Sequence, residues 1–163
     1  MRAFVSSEGM ADTVHRYTAT CRWRGSTGAG YEAYDRAHEA EVAPAAATLA
    51  LSSDPAFRGD ATLLNPEQLL VTAAASCQLL SFLAVAARAR IDVVGYEDAA
   101  EGEMAEDARP MRVTRITLRP RITVRGGVTD DRIHHLVDVA HRECFIANSL
   151  NSAVVIEPSV TRI

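Results

Sequence analysis

The chain contains no lysine: all 17 of its Lys and Arg positions are arginine, set against 21 Asp and Glu for a formal net charge of −4. Without a basic excess no nucleic-acid partner is expected, because a phosphate backbone is held by a clustered cationic face. Cysteine is scarce as well. Cys21, Cys77 and Cys144 are too few and too scattered for a secreted disulfide framework, and no CxxC pair opens a zinc site. A Gly-rich phosphate loop and a GxSxG elbow are absent. The opening "MRAFVSSEGMADTVHRY" has no basic segment running into an apolar one, so no secretory signal is expected. These absences point to a cytoplasmic, reducing setting, where a disulfide is a reaction state rather than a rivet.

What is present is ordinary globular composition, 48% hydrophobic and 23% charged over 163 residues. We expect one domain over 1–163, with 1–12 as a flexible N-terminal segment. A chain of this length buries roughly 70% of its unfolded surface, enough for a core without staples. Strands are expected at 14–23, after the Gly-rich turn of "RGSTGAGYEAYDRAHEAEV", and at "ATLALSS", which the turn residues of "SSDPAFRGD" then end. Asn65 offers an N-cap, Pro66 fits the first helical position, and Glu67 with Gln68 completes a capping-box-like first turn. This helix is expected to run to about Arg90. Alternating strands follow in "IDVVGYEDAAEGEM" and "RVTRITLRPRITV". A second helix over "VTDDRIHHLVDVAHREC" is capped by Thr129 or Asp130, and "AVVIEPSV" closes the chain as a strand. The order is three strands, helix, two strands, helix, strand, an α+β pattern.

The first helix is apolar nearly all round from Leu69 to Ala87. Its length tempts a membrane reading. Thr72, Ser76, Gln78 and Ser81 interrupt it, however, and no basic flank precedes it. A helix apolar on every side is instead buried on every side. Two long helices in one small chain do not enclose it, so a second subunit is expected to cover the remaining flank.

Cys77 sits in the middle of that helix. A free thiol is only about 3% thiolate at neutral pH, and apolar surroundings lower that fraction. As chemistry it requires a neighbouring cation, and the helix itself supplies none near it. Arg58 in "DPAFRGD" is the first candidate and Arg36 in "YDRAHE" the second. Glu67 could orient such a guanidinium, but ten residues of helix put it about 15 Å from Cys77. An arginine must therefore bridge the gap, or a carboxylate must arrive from another subunit. Cys144 falls on the apolar stripe of the second helix with Ile133, Leu136, Val137 and Ala140. Two inward thiols whose Cα atoms lie within about 7 Å can form a disulfide without backbone movement. That suits a two-cysteine peroxidase, in which one thiolate becomes a sulfenic acid and the second thiol condenses with it. An apolar lining would favour a hydrophobic hydroperoxide.

Each residue also has a plainer reading. Buried cysteine is common as a small hydrophobe, Glu67 complements the helix dipole, and Arg58 has Asp54 and Asp60 nearby in sequence. His141 is either a base or a packed histidine, and Cys21 reads as structural. His141 and Cys144 give a metal only two ligands, so none is expected.

The stretch "NPEQLLVTAAASC", with "AHRECFIANSL" placing a second cysteine 67 residues after the first, resembles the OsmC/Ohr family of osmotically inducible and organic hydroperoxide resistance proteins. The resemblance extends from about Tyr17 to Pro158. It implies an intertwined homodimer, with antiparallel sheets wrapped around two long central helices and sites at the subunit interface. It also implies hydroperoxide reduction with no cofactor, through Cys77 as the peroxidatic and Cys144 as the resolving cysteine. Glu67 is then the acid that holds a catalytic arginine, Arg58 by position, with Arg36 in reserve. The sequence departs from better-known members in reading "CFIANSL" after its second cysteine, so kinship names neither the peroxide nor the dithiol reductant. Two other activities are compatible with the same residues: a catalytically idle dimer binding an apolar ligand, and a hydrolase pairing Cys77 with His141.

Overall fold

The computed structural model describes residues 14–163, and the segment 1–12 lies outside them. Three antiparallel strands come first, β1 (Thr20–Arg22), β2 (His38–Glu41) and β3 (Thr48–Leu51). The first expected strand shortens to β1, because residues 14–19 pair with nothing. This small sheet makes no substantial contact with the helices of its own chain. It is tied on where Ser52 N–H donates to the Leu64 carbonyl at 2.9 Å, just ahead of the first helix.

Helix α1 (Pro66–Arg88) starts as its sequence dictates. Gln68 N–H donates to the Asn65 side chain at 2.8 Å, and Asn65 N–H donates to Gln68 Oε1 at 3.0 Å. This reciprocal cap satisfies two otherwise orphaned donors. Asn65→Ala should therefore cost about 1 kcal/mol of stability, read as a lowered denaturation midpoint with an unchanged m-value.

Beyond α1 each long expected strand is broken. β4 (Asp92–Asp98) and β5 (Glu101–Glu103) divide one, β6 (Arg115–Leu118) and β7 (Pro120–Arg125) the next, β8 (Ala153–Ile156) and β9 (Ser159–Arg162) the last. The breaks line up, so the pieces form two sheets, β4-β7-β9 and β5-β6-β8. Pro120 and Pro158 stand at two of the breaks, where a missing N–H ends a ladder. Arg119 stitches the corner, pairing with Glu101 and Glu157 at 3.1 Å each. These sheets are mixed rather than wholly antiparallel. β4·β7 and β5·β6 are antiparallel, whereas β6·β8 and β7·β9 are parallel. The chain crosses from β7 to β8 through helices, and a crossover returns it in the same direction.

Helix α2 (Asp130–Glu143) is capped by the Thr129 side chain, which accepts from Arg132 N–H at 3.3 Å. Its buried residues Ile133, Leu136, Val137 and Ala140 pack with Phe82, Val85 and Ala86 of α1 over the β4-β7-β9 sheet. A second cluster sets Ala74 against Val113, Ile116 and Leu118. α1 is long and apolar enough to cross a membrane, yet only 28% of its most apolar window is buried by its own chain. Leu80 (62% exposed) and Leu83 (37%) mark the uncovered face.

Candidate active site

Cys144 does not continue the stripe of α2. Its backbone turns extended (φ −71°, ψ 111°) and ends α2, and the same residue caps a short helix that was not expected, α3 (Phe145–Ser149). The stripe repeats every three to four residues up to Ala140, but helical hydrogen bonding stops one residue before the cysteine. Asn148 Nδ2 holds the junction by donating to the carbonyls of Arg142 and Cys144, at 3.0 Å each.

That turn brings the first residues of α3 against both thiols. Ile146 N–H donates to Cys77 Sγ at 3.5 Å, and Ala147 N–H donates to Cys144 Sγ at the same distance. Neither cysteine is in a disulfide, and the two sulfurs accept from consecutive amides of α3. Cys77 is half-buried and Cys144 is 1% exposed.

The two thiols are pulled in opposite directions. Burial pushes the Cys77 pKa up, but donors outweigh it: the Ile146 amide, the Cys144 thiol, the Phe145 amide and the Ser81 hydroxyl. The net result lies below the ordinary thiol value. Burial pushes Cys144 up, the Ala147 amide opposes it, and the neighbouring Cys77 charge raises it further. Hydrogen bonds to the charged form thus win at one sulfur and desolvation wins at the other. Iodoacetamide should therefore label Cys77 at a lower pH than Cys144. Mass-spectrometric mapping across pH 6 to 10 checks this, with the thiolate-limited rate at Cys77 reaching its plateau first.

Cys77 opens into a cavity of about 730 Å³ walled by Ala73, Leu80, Ala84, Phe145 and Ile146. Two arginines border it, Arg88 and Arg142, and Arg88 pairs with Glu143 at 2.9 Å. These cations escaped the sequence reading. Arg88 looks remote along α1, and Arg142 borders the cavity from the last turn of α2. The stabilising amides of α3 left no sequence signal beyond the run "CFIANS".

The other expected site residues lie elsewhere in the protomer. Arg58 follows a 3-10 turn (Pro55–Phe57) with a left-handed backbone (φ 66°, ψ 28°) and forms an ion pair with Glu32. Glu67 lines a separate cavity of about 510 Å³ with Asp54, Asn65 and Glu106. Arg36 stacks on the rings of Tyr34 and Tyr31, 4.0 and 4.8 Å from their centroids, and donates to both their carbonyls. None of the three borders the Cys77 cavity, and neither does His141. Cys21 is exposed on β1. Among the described residues no group of three or more His, Cys, Asp or Glu is arranged to hold a metal ion.

The family model described as OsmC, OsmC-like protein, matches residues 59–159, a span that holds both thiols. The chain belongs to the OsmC family. Solved structures agree with this OsmC-like assignment along nearly the whole chain. An OsmC-like protein of unknown function from Vibrio cholerae O1 biovar eltor str. N16961 shares 28% identity, with 90% of this chain and 100% of that one aligned at a TM-score of 0.81. An organic hydroperoxide resistance protein OsmC from Legionella pneumophila is 19% identical, with 92% and 99% covered and a TM-score of 0.66. A second organic hydroperoxide resistance protein, from Elizabethkingia anophelis, is 17% identical, with 94% and 100% covered at 0.69. At these last two identities the likeness is one of fold. No curated protein sequence matches this OsmC-like chain.

Proposed function

We propose that this OsmC-like protein is a thiol-dependent reductase of organic hydroperoxides, with Cys77 as the attacking and Cys144 as the resolving residue. One observation carries the reading: two free thiols adjoin at an apolar cavity, the more accessible one more acidic than usual and its buried partner less so. The Cys77 thiolate attacks the distal peroxide oxygen and the O–O bond breaks. The alcohol leaves with a proton, and Cys77 is left as a sulfenic acid. The Cys144 sulfur then displaces hydroxide from it to give a disulfide and water. A dithiol of unassigned identity restores the pair. The apolar walls favour a hydrophobic hydroperoxide over hydrogen peroxide. The reaction uses neither metal nor cofactor, and a reducing cytoplasm suits its thiol cycle.

The uncovered face of α1 supports a homodimer built on that helix. The N-terminal sheet, without substantial contacts to its own helices, is suited to wrap a second copy. In such a dimer Arg58, oriented by Glu67, approaches the thiol of the other protomer. This is one of the arrangements that the 15 Å helical spacing leaves open.

Steady-state turnover of cumene hydroperoxide and hydrogen peroxide, with dithiothreitol as reductant, tests the proposal. The expected result is a kcat/KM at least about tenfold higher for cumene hydroperoxide, falling about 10²-fold or more in Arg58→Gln through lost electrostatic stabilisation. No turnover of either peroxide would favour the idle, ligand-binding dimer.

A further inference from the structure

We infer that Asn148 is a positioning residue for the thiol pair: its side-chain amide takes over a carbonyl of α2 and so releases the Ile146 N–H to Cys77. The inference takes its catalytic meaning from the peroxidase reading, but its test uses no peroxide.

The hydrogen bonds at the junction of α2 and α3 are exchanged rather than lost. In an α-helix the N–H of each residue donates to the carbonyl four residues earlier. Had α2 run on, Ile146 N–H would donate to the Arg142 carbonyl and Ala147 N–H to that of Glu143. Instead Ile146 N–H donates to Cys77 Sγ and Ala147 N–H to Cys144 Sγ, at 3.5 Å each. The Arg142 carbonyl, an orphan of the last turn of α2, accepts from Asn148 Nδ2 at 3.0 Å. The other hydrogen of that nitrogen goes to the Cys144 carbonyl, also at 3.0 Å. The same carbonyl accepts Asn148 N–H at 3.0 Å, which starts α3.

One amide nitrogen carries two hydrogens, so the Asn148 side chain spans both carbonyls at once. Asn side chains compete in this way with the helical ladder, and here the competition frees a main-chain donor for a sulfur. Asn148 borders the Cys77 cavity, so the clamp sits beside the thiol it serves. At Cys77 the Ile146 amide is the largest of the causes that oppose burial. Without the Asn148 donor the Arg142 carbonyl takes Ile146 N–H back in the ordinary helical pattern, and Cys77 loses that support.

The charged groups around the pair are untouched by a change at Asn148. Arg88 of α1 and Arg142 and Glu143 of α2 border the cavity. His141 lies three residues before Cys144 on α2, and from the sheet Tyr96 of β4, kept protonated by burial, packs on the core beneath both helices. A shift in the titration of Cys77 therefore reads the amide.

The rate of Cys77 alkylation by iodoacetamide, followed against pH in the reduced protein, is the test. Asn148→Leu keeps the bulk of an exposed side chain and removes its donors. Its profile should move up by about one pH unit, the size of one lost hydrogen bond to a charged group. Asn148→Ala should move it the same way, and Asn148→Gln, which keeps the amide, should lie nearer wild type. Ser149→Ala is the control, because it removes the 2.7 Å bond from Ser149 Oγ to the Phe145 carbonyl and loosens α3 without touching the exchange. Its profile should stay in place, with circular dichroism reporting the fold of each variant. Wild-type profiles in both Asn148→Leu and Asn148→Ala would overturn the inference, as would an equal shift in Ser149→Ala. A wild type that turns over no hydroperoxide would remove the peroxidase reading without moving any of these profiles.

Discussion

On the proposed mechanism, Cys77→Ser should abolish hydroperoxide turnover, lowering kcat/KM by about 10³-fold or more, while the fold remains. The sulfur is half-buried at the mouth of the cavity, and a hydroxyl in its place still accepts the Ile146 amide. What is lost is the nucleophile, since a serine hydroxyl under the same donors does not ionise near neutral pH. Cys144→Ser behaves differently. The first attack should survive, the disulfide should not form, and turnover should stop after one cycle with a sulfenic acid at Cys77. At excess peroxide that acid goes on to the sulfinic state. Stopped-flow turnover combined with intact-mass analysis distinguishes the two variants: no added oxygen in the first, one and then two in the second.

The second large effect is on stability. Phe82 is fully buried between α1, α2 and β4, with its ring against Tyr96. Phe82→Ala removes most of a large side chain from a core that cannot collapse around the void. It should cost about 3–5 kcal/mol. At roughly 2–4 °C per kcal/mol for a chain of this size, Tm falls on the order of 10 °C in calorimetry. Leu80→Ala, on the uncovered face of the same helix, should leave the stability of an isolated protomer nearly unchanged and weaken self-association instead.

Much of this was legible in the chain. "NPEQ" announced the cap of α1 because the first turn of a helix is a local matter of side chain and backbone. The all-round apolarity of α1 announced an uncovered flank because one small chain has too few elements to surround a long helix. The pair of thiols was legible as a pair because each lay on or beside an apolar face. What the sequence hid is tertiary. Cys144 reads as part of a helical stripe, but the hydrogen-bonding pattern stops one residue before it, and periodicity is blind to where a helix ends. The corner through Arg119 was concealed because each strand alternates smoothly across it, with only Pro120 and Pro158 as hints. Arg88 and Arg142 were hidden because they reach the cavity from the last turns of two different helices. Arg58 and Glu67 were picked out by motif position alone, and in the protomer they lie with Glu32 and in a separate cavity, away from Cys77.

The central claim is that two thiols act as one redox unit. Titrating the reduced protein with limiting cumene hydroperoxide, while counting free thiols and mapping disulfides by mass spectrometry, tests it most directly. The account predicts loss of two thiols per chain for each peroxide consumed, a single Cys77–Cys144 link, and full recovery with dithiothreitol. Both thiols still free after excess peroxide, or a link through Cys21 instead, would contradict it.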